Sequence, residues 1–353
     1  MARTVGSTKR GLQTMKKILA TIIAGATLLV AGSFGAKAGT LEDVKARGVV
    51  NCGVNPSLIG FAFPDEKGNW SGIDVDFCRA VASAIFNDPT KVKFVPLNAK
   101  ERFTALQSGE VDLLSRNTTW TMSRDSSLGL MFVGVVYYDG QGFMVRKSLG
   151  VSSALELSGA KVCTQTGTTT ELNLADFFRA HNMPYDVVAF EKNEEVLQAY
   201  EAGRCDAYTT DASGLYAERL KLQNPADHII LPEIISKEPL GPAVRQGDDK
   251  WFTIVKWTLF AMLNAEELDL TKANIDEKKT SDNPEIKRFV GVEGDFGTGI
   301  GLANTWAYNI IKDVGNYGEI FDANVGPSTK LGIARGLNKL WTKGGIQFAP
   351  PIR

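Results

Sequence analysis

Residues Val111–Arg124 read VDLLSRNTTWTMSR, a short apolar run that turns abruptly into polar side chains. The apolar part has the composition of a brief buried strand. Open α/β sheets bind ligands at the carboxyl ends of their strands, which is where this polar part begins. Its last residue, Arg124, carries a guanidinium that can hold a carboxylate through two parallel hydrogen bonds. We therefore predict half of a binding site for a small carboxylate; a solvated surface loop is the alternative for this segment alone.

The residues around this segment alternate between strand and helix signals. Short apolar runs at 49–54 and 91–96 have strand character, and the apolar residues of 72–85 recur at the spacing of one helical face. A second helix is predicted at 101–107, where Ser108-Gly109 ends it. This order of elements is typical of a parallel α/β lobe.

The same order of signals restarts after a strand signal at 132–138. When Gly109 is placed over Gly203, both halves run helix, glycine, two residues, aspartate and strand, and Asn117 falls on Asp211. Identity between the halves is slight, so a shared helix–turn–strand pattern could also produce the match by chance. We predict two similar lobes that each present a strand-end loop to a common cleft, which is the usual place for a ligand.

The N-terminal segment has the pattern of a secretory signal peptide. Positive side chains precede an apolar run at Ile18–Val30, and small residues follow up to Ala36-Lys37-Ala38. We predict that residues 1–38 are a signal peptide cleaved near Ala38, since the apolar run is short for a permanent membrane helix. Six of the 39 Lys and Arg lie in it and none of the 40 acids does, so the mature chain carries a net charge of −7. This acidic balance argues against nucleic-acid binding.

Four cysteines follow the signal: Cys52, Cys78, Cys163 and Cys205. An even number in an exported chain favours disulfides, and three pairings are possible. One bridge in each predicted lobe favours Cys52–Cys78 and Cys163–Cys205. A metal site is the alternative, but the chain has no C-x-x-C pair and only two histidines, so we predict no metal.

Four segments together resemble the family 3 periplasmic solute-binding proteins, the amino-acid receptors of ABC importers. They are Gly72–Phe77 (GIDVDF), Thr121–Arg124, Gln165–Thr169 (QTGTT) and Asp211, and their order and spacing agree with that family. The wider sequence, including the long C-terminal tail, is similar to the general L-amino-acid-binding subgroup of proteobacteria.

The resemblance implies an α/β, two-lobed periplasmic-binding-protein fold of type II, in which each lobe is a mostly parallel sheet flanked by helices. Lobe 1 would comprise 39–142 and, with a C-terminal extension, 244–353, and lobe 2 would comprise 143–243. The two crossings near Gly142–Val145 and Gly241–Val244 would form the hinge.

The resemblance also implies roles for individual residues. Arg124 would hold the α-carboxylate of an amino acid, together with the hydroxyl or the backbone N–H of Thr119 and Thr169. Asp211 would hold the α-ammonium, together with the backbone carbonyl of Asn117. This pairing makes physical sense, because an amino acid is a zwitterion that needs one cation and one carboxylate at a fixed separation.

The remaining predicted ligand contacts are Gln165 and Thr170 in the second lobe, and Leu58, Phe61 and Arg116 in the first. Leu58 stands where the family often has an aromatic residue, with Phe61 as the nearest aromatic, and Arg116 stands where it usually has a small one. We hypothesise that Arg116 meets acidic or amide side chains, although it could equally point to solvent.

Three neighbouring side chains receive structural interpretations. Lys100 and Arg102 are expected on a solvated helix face, and Trp120 is expected to pack rather than to stack on a ligand.

The implied function is capture of L-amino acids in the periplasm for the permease subunits of an ABC importer, as a monomer without a cofactor. The alternative is an enzyme on the same fold, such as a periplasmic cyclohexadienyl dehydratase, which needs a further acid or base in the cleft. A receptor sensor module is disfavoured, because no second apolar span of membrane length occurs in the sequence.

Overall fold

The computed structural model describes Met1 and residues 39–353, so the predicted signal peptide and its cleavage site lie outside the described residues. The strands are β1 (Val50–Val54), β2 (Phe63–Pro64), β3 (Trp70–Ser71), β4 (Val92–Pro96), β5 (Leu113–Leu114), β6 (Leu130–Phe132), β7 (Tyr137–Asp139), β8 (Gln141–Arg146), β9 (Lys161–Gln165), β10 (Asp186–Phe190), β11 (Ala207–Asp211), β12 (His228–Ile230), β13 (Glu238–Leu240) and β14 (Ala243–Arg245). The helices are α1 (Thr40–Arg47), α2 (Ile73–Phe86), α3 (Glu101–Ser108), α4 (Met122–Ser127), α5 (Thr169–Ala180), α6 (Asn193–Glu201), α7 (Ala212–Arg219), α8 (Asp249–Glu267), α9 (Pro284–Phe289), α10 (Trp306–Asp313) and α11 (Tyr317–Asn324). Within the described residues, none of the helices has the length and apolar character that a membrane crossing requires.

The first sheet has the order β4-β1-β5-β14-β6. Strands β4, β1 and β5 run parallel because α2 and α3 provide the connections between them, whereas β14 pairs antiparallel with β5 and β6. Helix α2 buries Ile73, Phe77 and Val81 in the core, as the predicted helical face requires. We call this sheet and its helices lobe 1.

The second sheet, which defines lobe 2, has the order β10-β9-β11-β8-β12 and the same sequence of parallel and antiparallel pairs. The proposed correspondence between the halves also holds at the side-chain level. Asp112 accepts a hydrogen bond from the backbone N–H of Asn51 at 2.7 Å, and Asp206 accepts one from that of Lys161 at 2.8 Å. The prediction of two similar α/β lobes is confirmed.

A two-stranded ribbon of β7 and β13 joins the lobes, and we call it the hinge ribbon. Tyr138 lies opposite Pro239, and Asp139 lies opposite Glu238. The predicted hinge positions lie a few residues too late in both crossings. Residues 142–145 already belong to β8 in lobe 2, and Ala243 already pairs with Leu114 in lobe 1.

The C-terminal extension packs on lobe 1 and reaches the hinge ribbon. Helix α10 packs against α2 and α8, and α11 packs against α8. The side-chain amide of Asn338 exchanges two hydrogen bonds with the backbone of Tyr138, at 2.7 and 3.2 Å. Pro239, which lies opposite Tyr138, has no N–H to donate. The two bonds from Asn338 therefore provide partners for the backbone N–H and carbonyl of Tyr138 at the outer edge of the ribbon.

Each lobe contains one disulfide. Cys52 on β1 is bonded to Cys78 on α2, and Cys163 on β9 is bonded to Cys205 just before β11. This is the pairing that we predicted by placing one bridge in each lobe. Each bridge ties a central strand to the element that follows or flanks it, so it closes a loop within its own lobe.

Candidate functional site

The loop that follows β5 is held in place by a buried acid. One oxygen of Asp74 accepts a hydrogen bond from the hydroxyl of Ser115 at 2.9 Å, and the other accepts one from the backbone N–H of Asn117 at 2.8 Å. Burial raises the pKa of Asp74 to about 6, although these hydrogen bonds and the charge of Arg116 oppose the shift. Asn117 adopts φ +34°, a region in which asparagine is more common than most residues.

Asp74→Ala should lower both stability and ligand affinity. The substitution leaves the Ser115 hydroxyl and the Asn117 N–H buried without an acceptor, which should cost about 2–4 kcal/mol of unfolding free energy in urea titration. Asp76→Ala is the matched control, because Asp76 lies in the same helical turn but is only partly buried. It pairs with the partly exposed Arg79 and accepts from the amide of Asn324, which also donates to the carbonyl of Ile320. The control substitution should cost about 1 kcal/mol or less. Equal losses in the two variants would contradict this role for Asp74.

Arg124 lies one turn into α4, whose N-cap residue Thr121 accepts a hydrogen bond from the backbone N–H of Arg124 at 3.3 Å. The guanidinium is buried, donates to the carbonyl of Thr119 at 2.7 Å and stacks on the ring of Phe103. Burial lowers the pKa of Arg124 to about 10, while the nearby carboxylates of Glu238 and Asp211 oppose the shift. The side chain is therefore a fixed cation at physiological pH.

Thr119 in lobe 1 and Thr169 in lobe 2 meet across the cleft, with 3.3 Å between their hydroxyl oxygens. Both hydroxyls donate to one oxygen of Glu238, at 2.5 and 2.9 Å. The backbone N–H groups of the two threonines have no acceptor among the described residues. A ligand carboxylate beside Arg124 would therefore be met by these N–H groups rather than by the hydroxyls, and the N–H of Thr169 belongs to the first turn of α5.

Asp211 ends β11 and begins α7, but its side chain makes no capping hydrogen bond. Its carboxylate is buried, and no group in residues 39–353 donates to it. Burial and the neighbouring carboxylates of Asp139 and Glu238 raise the pKa of Asp211 well above its usual value, while Arg102 and Arg124 oppose the shift. A cation placed beside Asp211 would offset this unfavourable concentration of negative charge. The backbone carbonyl of Asn117 likewise accepts no hydrogen bond from the described residues.

A cavity of about 470 Å³ lies between the lobes, and Arg116 lines it. Lobe 1 also contributes Asn55, Ser57, Leu97, Asn98 and Glu101, and lobe 2 contributes Gln165, Lys192, Asn193 and Glu194. The Nε of Arg116 donates to the carbonyl of Leu97 at 2.8 Å, and its two terminal nitrogens have no hydrogen-bond partner among the described residues. Burial lowers the pKa of Arg116 to about 10. Of the two orientations considered for Arg116, the structure has the buried one.

The other predicted contacts lie in different surroundings. Gln165 lines the cavity, and its amide donates to the carbonyl of Glu191 at 2.9 Å. Thr170 is buried, and its hydroxyl lies 2.6 Å from that of Thr168. Leu58 is buried in lobe 1, at the side that faces Gly214 of lobe 2.

Phe61 does not agree with its predicted role as a ligand contact. Its ring is completely buried in the lobe 1 core, edge-on to Tyr137 at 5.2 Å between centroids. The aromatic loop that contains it is folded against the start of α2, where the backbone N–H of Asp74 donates to the carbonyl of Phe61 at 3.0 Å. Packing therefore accounts for the aromatic residue at this position.

The prediction for Arg102 is wrong. Its side chain is not solvated but buried, stacked on the ring of Phe103 and donating to the hydroxyl of Thr118 at 3.3 Å. Burial and the positive charges of Arg116 and Arg124 lower the pKa of Arg102 well below its usual value. A short helix with charged residues on several faces gives no sequence signal for which one turns inward.

Lys100 and Trp120 agree with their structural interpretations. Lys100 is exposed and forms an ion pair with Glu191 across the cleft at 2.5 Å. Trp120 stacks on Phe132 with 5.6 Å between ring centroids. Glu238, the acid on which both cleft threonines converge, received no role from the sequence, because a single acid before Pro239 reads as part of a turn.

The described residues contain no cluster of three or more side chains suited to hold a metal ion. The site has one buried guanidinium from lobe 1 and one buried carboxylate from lobe 2, together with backbone groups that have no partner among the described residues. Since the two charges lie on different lobes, a ligand that contacts both would favour the closed cleft.

The chain is similar to several known proteins along most of its length. The chain is 66% identical to the general L-amino acid-binding periplasmic protein AapJ of Rhizobium johnstonii, over 96% of this chain and all of that protein. It is 60% identical to the glutamate/glutamine/aspartate/asparagine-binding protein BztA of Rhodobacter capsulatus, over 92% of this chain and 96% of that protein. A solved structure of an ABC transporter periplasmic binding protein from Brucella ovis, with glutathione bound, superposes with a TM-score of 0.88 at 64% identity. It covers 90% of this chain and 100% of that one.

The family model for bacterial extracellular solute-binding proteins, family 3, matches residues 50–274. This match spans both sheets, the hinge ribbon and the start of the C-terminal extension. The type II periplasmic-binding-protein fold implied by the sequence is therefore confirmed, and the chain belongs to the bacterial extracellular solute-binding proteins of family 3.

Proposed function

We propose that this protein is the substrate-binding component of an ABC importer for L-amino acids and that it works as a monomer in the periplasm. Two close relatives carry names that describe amino-acid binding, one of them general and one for glutamate, glutamine, aspartate and asparagine. The permease subunits of the importer are the implied protein partners. The chain passes from lobe 1 through the hinge into lobe 2, and lobe 2 closes over the ligand.

The observation that carries this proposal is the pair of opposite buried charges, Arg124 on lobe 1 and Asp211 on lobe 2. An α-amino acid places a carboxylate and an ammonium on one carbon, so one molecule can neutralise both. Charged hydrogen bonds contribute about 1.5–3 kcal/mol each. A few of them are enough for micromolar affinity, which corresponds to about −8 kcal/mol.

A thermal-shift screen across the common L-amino acids, followed by calorimetry, tests the proposal. We expect several amino acids to raise the melting temperature and to bind with one-to-one stoichiometry, and their D-enantiomers to bind much more weakly. An absence of binding by every amino acid would contradict the proposal.

We propose that Arg116 recognises ligand side chains that end in a carboxylate or an amide. Arg116 lines the cavity between the lobes, and its terminal nitrogens have no protein partner among the described residues. Arg116→Ala should weaken glutamate and aspartate about tenfold and leave alanine nearly unchanged in calorimetry. An equal change for all three ligands would contradict this role.

The same cavity favours a second class of ligand, peptides whose amino-acid end occupies the zwitterion clamp. The relative from Brucella ovis has glutathione bound, and the cavity of about 470 Å³ between the lobes is lined by the predicted ligand contacts Arg116 and Gln165, although not by Arg124 or Asp211. Calorimetry with glutathione beside free glutamate tests this extension. Binding of glutamate without binding of glutathione would restrict the ligand to single amino acids.

The proposal includes the absence of catalysis. One similar structure, at 28% identity and a TM-score of 0.56, is described as an ancestral amino acid-binding protein that is a precursor of cyclohexadienyl dehydratase. In our proposal Asp211 is committed to the ligand ammonium, and neither histidine lines the cavity. Turnover of prephenate or arogenate by the purified protein would support the enzyme instead.

A further inference from the structure

Glu238, on the hinge ribbon, is almost completely buried and accepts four hydrogen bonds. Thr119 and Thr169 donate to one oxygen, at 2.5 and 2.9 Å, and Ser236 and Asn173 donate to the other, at 2.6 and 2.7 Å. A carboxylate has about four acceptor sites, so all of them are used here. Such a complete set of donors indicates a built site rather than a solvated side chain.

The four donors come from three parts of the molecule. Thr119 belongs to the loop of lobe 1, Thr169 and Asn173 belong to helix α5 of lobe 2, and Ser236 lies two residues before Glu238 on the crossing itself. The carboxylate can bind Thr119 and Thr169 together only when the two lobes approach each other. Hinge closure in two-lobed proteins moves the lobes as nearly rigid bodies, so these bonds report the closed state.

We propose that Glu238 is a positioning residue that stabilises the closed cleft and fixes Thr119 and Thr169 so that their backbone N–H groups face the ligand carboxylate. By accepting both hydroxyl protons, it leaves the backbone N–H groups of Thr119 and Thr169, beside the guanidinium of Arg124, as the donors for the ligand. The inference rests on the proposed function, because it assigns the mechanism by which the same site retains an amino acid.

The charge of Glu238 acts in the opposite direction from its hydrogen bonds. It lies close enough to Arg124 and Asp211 to interact with both, and a negative charge there repels an arriving carboxylate. Removing the charge should therefore leave association as fast or faster. Loss of the closed-state bonds should accelerate dissociation, since truncating one partner of a buried charged hydrogen bond acts mainly on the off-rate. This split between the two rates separates the proposal from general damage to the fold.

Stopped-flow binding of L-glutamate to the full-length mature protein provides the test. Glu238→Gln should raise the dissociation rate about tenfold or more and change the association rate less than about threefold. X-ray scattering without ligand should show a shift of the Gln variant towards the larger, open radius of gyration. An unchanged dissociation rate, with the wild-type protein binding normally, would overturn the role of Glu238. Failure of the wild-type protein to bind any amino acid would count against the proposed function, while the scattering comparison would still test closure.

Two further variants make the test specific. Arg179→Ala changes an exposed side chain on the same helix α5 as Thr169, where it pairs with Asp176, and it should leave both rates within about threefold of wild type. Thr169→Val removes the lobe 2 hydroxyl but keeps the backbone N–H, and it should accelerate dissociation even if the Glu238 variant fails to fold. In the Thr169→Val background, Glu238→Gln should then have a smaller effect. An increase caused by Arg179→Ala as large as that caused by Glu238→Gln would contradict the inference.

Discussion

Arg124→Ala should abolish measurable binding of amino acids while the protein stays folded. The guanidinium is buried and lies between the carbonyl of Thr119 and the carboxylates of Asp211 and Glu238. Its loss removes the proposed partner of the ligand carboxylate and a positive charge that interacts with two buried acids, Asp211 and Glu238. Breaking such a buried pair costs about 3–5 kcal/mol, so the dissociation constant measured by calorimetry should rise at least about a hundredfold.

Arg179→Ala is the matched control for this experiment. Arg179 is exposed on helix α5 and pairs with Asp176 one turn away. Its removal should not change ligand affinity, because exposed pairs contribute little. Unchanged affinity in the Arg124 variant would disprove the assignment of the carboxylate site, whereas a melting curve without a transition would mean that the variant had unfolded.

Asp211→Asn should weaken amino-acid binding about a hundredfold and at the same time stabilise the ligand-free protein. The first effect follows from loss of a charged hydrogen bond to the ammonium, about 1.5–3 kcal/mol. The second follows from the raised pKa of Asp211, because the ionised form is disfavoured in the folded protein by burial and by Asp139 and Glu238. In wild type this penalty is absent below the unfolded pKa and grows as the pH rises from the unfolded pKa to the folded pKa. The melting-temperature advantage of the Asn variant should therefore be small at pH 4 and larger at pH 8.

A ligand without an ammonium group provides the control for Asp211. Wild type should discriminate strongly between L-glutamate and 2-oxoglutarate, and the Asn variant should discriminate much less. If the variant retained full discrimination, Asp211 would not be the ammonium partner. If the variant were less stable than wild type at pH 8, the burial penalty assigned to Asp211 would be wrong.

The sequence was sufficient for the architecture because its strand and helix signals follow strict periods. The helix at α2 and the repeat around Gly109 and Gly203 could be read directly, and the sheets have equivalent strand orders. The hinge was placed a few residues late, since apolar residues look alike whether they belong to a sheet or to a crossing. The strand signal at 132–138 likewise covers two strands, β6 and β7, which a break at residues 133–136 separates.

The residues of the site likewise divide into those that could be predicted from the sequence and those that could not. Arg124, Asp211 and the two threonines came from a resemblance in which position in a motif defines the role. Arg102 and Glu238 could not be found, because burial of a charged side chain depends on neighbours that are distant in sequence. The partners of Glu238 lie up to 119 residues away. Phe61, in contrast, was predicted to contact the ligand but packs in the core, because the sequence does not show on which side an aromatic residue of a loop packs.

The contact between the C-terminal extension and the hinge ribbon has a consequence for the order in which the chain can fold. Lobe 2 is one continuous stretch and can pair its strands as soon as β12 has been made. Lobe 1 must wait for β14, and the cost of closing a long loop delays such distant pairings. The outer edge of the ribbon waits longer still, because Asn338 bonds to Tyr138, 200 positions earlier. A nascent chain that ended before Asn338 would have both sheets, but the outer edge of the hinge ribbon would lack the hydrogen bonds from Asn338.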